Sequence, residues 1–129
     1  MRHLNKGRKL NRNSSHRKAL LQNLALALFK YESIETTKAK ALELRGYVDR
    51  LITTAKQNDL SARRQAFQAI RQEDVLKKLF DTIAPRYKER TGGFTTVVNS
   101  RFRVGDNAPM AIISFVGHDA ARSNAEAAE

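Results

Sequence analysis

The sequence contains no cysteine. Disulfides, thiolate zinc sites, iron–sulfur clusters and a cysteine nucleophile are therefore excluded together. Tryptophan is also missing, and aromatic residues make up only 7% of the chain. That is too few for the row of stacking rings that grips single-stranded nucleic acid. No acidic residue precedes Glu32. No apolar run approaches the roughly 20 residues that span a bilayer. The longest, Ala19–Phe29, is broken by Gln22–Asn23. A basic start followed by such a run imitates a secretory signal, but Lys30–Tyr31–Glu32 stands where small residues would mark cleavage. The Arg-rich, acid-free opening with Ser14–Ser15 also imitates a transit peptide. The expectation is neither, with a cytoplasmic chain and no membrane partner.

What the sequence does hold is positive charge. Its 129 residues carry 24 Lys or Arg against 13 Asp or Glu, a net charge of +11. The length suits one domain, and such a domain folds without a metal or a disulfide. A surplus this large calls for a polyanionic partner, nucleic acid before membrane. The surplus is uneven. Residues 1–30 contribute +8, residues 31–60 balance, residues 61–90 contribute +4 and residues 91–129 contribute −1.

Residues 1–13 have only Met1, Leu4 and Leu10 as sizeable apolar side chains. They cannot bury enough surface to offset the entropy of ordering. They are expected to form an extended basic arm that orders on phosphate. Its candidate contacts are Arg2, His3, Lys6, Arg8, Lys9 and Arg12, continued by His16, Arg17 and Lys18. These side chains donate to phosphate oxygens.

Ser14 or Ser15 is expected to cap a helix running from about His16 to Tyr31. The dense apolar run predicts a helix buried on nearly every face at the centre of the core. Glu32–Thr36 reads as a short strand. Thr36 or Thr37 then caps a second helix with a stripe of Ala41, Leu44, Val48, Leu51, Ile52 and Ala55. Gly46 lies off that stripe, and close approach of another backbone would explain it. A third helix is expected over Leu60–Gln72, with Arg63, Ala66, Phe67 and Ile70 in register. Glu73–Asp74 opens a fourth, carrying Leu76, Leu79, Phe80 and Ile83, which Pro85 should end. Gly92–Gly93 is a hard stop.

From Phe94 the period changes to two. Thr96, Val98, Ser100, Phe102 and Val104 share one expected face, and Thr95, Val97, Asn99, Arg101 and Arg103 the other. Gly105–Pro109 is a five-residue turn, and Met110–Val116 a second strand of a hairpin. The expected fold is α+β and two-layered, with helices packed on a small mixed sheet that includes the C-terminal hairpin. The expected organisation is an arm over 1–13, one globular domain over 14–117 and a flexible tail over 118–129.

Catalytic chemistry is absent. His3, His16 and His118 are scattered and lack metal-ligand spacing. There is no P-loop and no nucleophile elbow. Glu73 and Asp74 are adjacent, so they point to different faces of a helix. No enzyme, metal, cofactor or small-molecule substrate is expected. The remaining candidates are bases: Arg86, Lys88 and Arg90 before the glycines, and Arg101 with Arg103 on a strand face. Arg63–Arg64, Arg71 and Lys77–Lys78 read as an ordinary solvated surface. With few aromatics, recognition of backbone and shape in folded RNA or duplex is favoured.

Three blocks then point to something specific. Met1–Arg2–His3, Gly7–Arg8, Leu10–Asn11–Arg12 and Ser14–Ser15–His16–Arg17 form the first. Ile34, Thr36–Thr37, Lys40–Ala41 and Glu43–Leu44–Arg45 form the second. Pro85–Arg86, Arg90, Gly92–Gly93 and Gly105–Asp106–Asn107–Ala108–Pro109–Met110–Ala111 form the third. In this order they resemble the bacterial large-subunit ribosomal protein seventeen family, over residues 1 to about 116. The chain departs from that pattern at Leu42, Phe94, Thr96 and Ser114. The resemblance implies a non-catalytic component of the 50S subunit. It also implies contacts to 23S rRNA and to neighbouring large-subunit proteins, and a place near the peptide exit region.

Overall fold

A computed structural model of the chain describes residues 8–10 and 12–117. The order is α1 (Ser14–Tyr31), β1 (Ser33–Thr37), α2 (Lys38–Lys56), α3 (Leu60–Ala69), α4 (Glu73–Lys78), a π-helical turn (Leu79–Ile83), α5 (Ala84–Arg86), β2 (Thr95–Phe102) and β3 (Pro109–Phe115). The fold is α+β, with helices packed on a three-stranded sheet that includes the C-terminal hairpin. The strands lie in the order β1-β3-β2. The sheet, expected to be mixed, is antiparallel throughout. The hairpin reverses β3 against β2, and β1 pairs on the free edge of β3 in the same sense as β2.

α1 begins at Ser14, and its cap is Asn13 rather than either serine. The Asn13 side chain accepts from the His16 N–H at 2.8 Å. Nor is α1 the centre of the core. Ala25, Leu28 and Phe29 are fully buried, whereas Leu21, Leu24 and Leu26 are only partly so. The hub is α2, which packs against all three strands, α1, α3, the π turn and α5. Its stripe Ala41, Leu44, Val48, Ile52 and Ala55 is buried as the spacing requires. Gly46 meets no backbone. A Cβ placed there would have no atom within 4 Å, so the helix simply bears the roughly 1 kcal/mol that glycine costs relative to alanine.

α3 ends at Ala69, before the expected Gln72. Its buried residues are Ala62 and Ala66, followed by Ile70 just past its end, while Phe67 stays exposed. Arg63, expected in the core register, lies over the Phe80 ring at 4.7 Å. Pro85 does not end the fourth helix. The π turn shifts the hydrogen-bond register first, with Ala84 N–H bonding to Leu79 C=O. Pro85 then enters the first turn of α5, where its missing N–H costs little.

The sheet closes over an aromatic cluster. Phe29 and Phe115 stack with centroids 5.6 Å apart, and Tyr87 packs against both Phe115 and Phe94. The Tyr87 hydroxyl donates to Val116 C=O at 2.6 Å. Phe94, one of the departures from the family pattern, is wholly buried. A ring without a hydroxyl suits that place.

Asp49 of α2 lies half-buried, and one of its carboxylate oxygens has no hydrogen-bond partner among the described residues. Desolvation raises its pKa above its ordinary value, against the opposing effects of the Phe94 backbone N–H and Arg45. A folded-state pKa above the unfolded one means that the fold favours the protonated acid. Its stability contribution is complete below about pH 4 and is lost as pH rises through the folded value. The Asp49→Asn variant should therefore melt higher than the parent at pH 7, and the gain should shrink towards pH 4. Thermal melts at the two pH values check this, and an equal gain at both would refute it.

Candidate nucleic-acid interface

The structure gathers most of the expected basic contacts at three places. The first is the segment leading into α1. A turn there is closed by Arg12 N–H donating to Lys9 C=O at 3.1 Å. Arg12 Nη1 donates to Leu10 C=O at 2.8 Å, and Arg17 Nη1 to Arg12 C=O at 3.2 Å. Arg8 pairs with Glu43 on α2 at 2.8 Å. Arg8 and Arg17 thus hold this segment against α2 and α1, and Arg12 closes its own turn. Lys9, His16 and Lys18 are exposed and have no acidic partner among the described residues. The first turn of α1 carries no acid either. Arg2, His3 and Lys6, like His118 and the rest of the expected tail, lie outside the described residues.

The second place is the C-terminal end of α1. Glu32 adopts a left-handed conformation, φ 65°, and its N–H bonds back to Leu28 C=O at 2.7 Å. That geometry aims its carboxylate at Arg86, 2.7 Å away, and at Lys78, 4.0 Å away. Lys78 also donates to Lys30 C=O at 3.0 Å. Lys30 sits 5.4 Å from the ring centre of Tyr31, which is exposed. One carboxylate therefore gathers cations from α4 and α5, while Lys30 of α1 lies over the exposed Tyr31 ring. Burial lowers and the Glu32 partner raises the Arg86 pKa, with the net shift upwards, so Arg86 stays charged. Sequence reasoning singled out Arg86, grouped with Lys88 and Arg90 before the glycines, but left Lys30 and Lys78 out. No local signal links Lys78 to Glu32, 46 positions earlier.

The third place is the hairpin. From Asn99↔Ala111 to Phe102↔Pro109 the chain advances three residues on β2 and two on β3, so β2 carries a one-residue bulge. The expected common face of Asn99, Arg101 and Arg103 is thereby broken. Asn99 pairs with Ala111, whose side chain is buried, and is itself exposed beyond the covered part of the sheet. Arg101 instead reaches Glu35 with Nε and Nη2, both at 2.9 Å. Ser100 Oγ donates to the other Glu35 oxygen at 3.0 Å. Arg103 lies beyond the end of β2 and pairs with Asp106, Nε to Oδ1 at 3.0 Å. This pair holds the Asp106 carboxyl down at about 2, helped by the Ala108 N–H. The loop closes between Arg103 and Ala108, with Gly105 at φ 110°. It is offset from the expected Gly105–Pro109 turn because Pro109 already pairs with Phe102.

Lys88 and Arg90 are exposed after α5. The Arg90 carbonyl accepts from Lys56 Nζ, which also lies 5.3 Å from the Phe94 ring centre. Among the described residues no cluster of His, Cys, Asp and Glu could hold a metal ion. No described helix is long and apolar enough to cross a membrane.

These features define a class: a small, basic α+β scaffold with cations at both ends of α1 and on the hairpin. Comparison with known proteins makes the class specific. The family model described as ribosomal protein L17 matches residues 20–116. A Maricaulis maris protein named large ribosomal subunit protein bL17 is 56% identical over 119 residues, covering 92% of this chain and 85% of the relative. Relatives of the same name from Allorhizobium ampelinum and Aliarcobacter butzleri are 53% and 52% identical, over 92% and 90% of this chain and 84% and 100% of their own lengths. The chain belongs to the ribosomal protein L17 family, whose members are structural components of the ribosome and not enzymes.

Proposed function

We propose that this chain is a structural constituent of the large ribosomal subunit and binds folded 23S rRNA within it. The observation that carries this reading is the acid-free basic stretch from Arg2 to Lys18, running onto the exposed first turn of α1 in a chain of this family. The stretch neutralises phosphates where RNA helices crowd together. The hairpin bases Arg101 and Arg103 and the cluster of Arg86, Lys88 and Arg90 contact adjacent RNA backbone. Neighbouring large-subunit proteins complete the surroundings, near the peptide exit region. Residues 1–13 act as the arm, 14–117 as the domain and 118–129 as a tail.

Sedimentation of cell lysate through sucrose gradients, first at moderate and then at high salt, tests the reading. The protein should track the large subunit in near-equal amount and survive the salt wash. Remaining at the top of the gradient, or binding arbitrary duplex DNA equally well, would replace it with a free nucleic-acid-binding protein.

A further inference from the structure

The bulge on β2 borders a hollow of about 280 Å³, lined among others by Lys38, Asn99, Ser100, Arg101, Phe102 and Met110. Its volume falls just under the roughly 300–1,000 Å³ of small-molecule pockets, which suits one flat ring and excludes a duplex. Its lining residues include two basic, two uncharged polar and one aromatic residue, and the surface they present to it is mostly apolar. The Phe102 ring is 66% exposed although it belongs to a paired strand. Glu35 clamps Arg101 through Nε and Nη2, leaving Nη1 without an acceptor among the described residues. Lys38 and Arg101 outweigh the single charge of Glu35, so the site attracts an anion.

We propose that this hollow takes one unpaired nucleotide of an RNA. The base stacks on Phe102, the phosphate lies against Lys38 and Arg101, and Asn99 bonds to the base edge. Every base has a π-face, so one exposed ring suffices for one splayed nucleotide, while a low aromatic content excludes only a longer platform. Clamping Arg101 in advance removes rotamer entropy that binding would otherwise cost. The inference rests on the RNA-binding reading above and deepens it.

The test uses the full-length chain and two synthetic hairpin RNAs that differ by a single bulged adenosine. The parent chain should prefer the bulged RNA. The Phe102→Ala and Phe102→Leu variants should lose about 5- to 150-fold on the bulged RNA, the range of one base–aromatic stack, and little on the paired one. Phe102→Trp should retain the preference. Because the chain has no other tryptophan, its emission should be quenched by the bulged RNA alone. Equal binding of both RNAs by parent and variants would overturn the nucleotide site and leave RNA binding intact. Equal losses on both RNAs would overturn it as well. Binding of neither RNA by the parent would overturn the RNA-binding reading, and this inference with it.

Discussion

Replacing Arg2, Lys6, Arg8, Lys9 and Arg12 together by glutamine should weaken rRNA binding at physiological salt by on the order of a thousandfold. The estimate follows from counterion release. If about eight phosphates are contacted, log K should fall with log salt at a slope of about −6 to −7. Five fewer contacts should flatten the slope by about 4, which is on the order of three decades of affinity near 0.15 M salt. Substitution is a cleaner experiment than truncation after residue 13. Asn13 caps α1, and losing a cap costs about 1 kcal/mol on its own. Titrations at several salt concentrations check the result, and an unchanged slope would show that the arm touches no phosphate. Part of the effect has a structural origin, because Arg8 and Arg12 also tie the segment to α2 and to its own turn.

The second large effect is on stability. Phe29→Ala should cost about 3–5 kcal/mol, a large share of the 5–15 kcal/mol that holds a typical domain together. Phe29 is fully buried and stacks on Phe115, which packs on Tyr87. Removing the ring leaves a cavity where α1 meets the central strand, and the rigid strand pairing on both edges of β3 prevents collapse into it. Thermal or urea unfolding measures the loss. A cost below about 1 kcal/mol would mean that the cluster is not the joint between helices and sheet.

Much of the fold was legible in periodicity. The stripe of α2 and the start of α4 at Glu73 appear at their expected places, and the strand after α1 and the hairpin appear shifted by about one residue. The misreadings have local physical causes. The apolar run of α1 suggested burial all round, but density of apolar residues does not say how many neighbours a helix has, and α1 has neighbours on only part of its circumference. Pro85 suggested a helix end, but a π turn can absorb a missing N–H. Period two put Asn99, Arg101 and Arg103 on one face, and a single extra residue on β2 reversed the alternation.

The candidate interface was legible as charge but not as geometry. Composition alone determined that this protein carries a large positive surplus, that the surplus is concentrated before Glu32, and that no thiol chemistry is available to it. Those are properties of a count, and folding does not change them. Only the tertiary structure decided which cations stand together. Glu32 draws Arg86 and Lys78 to the end of α1, Glu35 fixes Arg101 at the bulge, and Phe102 is left open beside it. Each of these pairings joins residues 46 or more positions apart. The energy that sets them comes from burying α2 against the sheet, not from any local preference of the residues that meet.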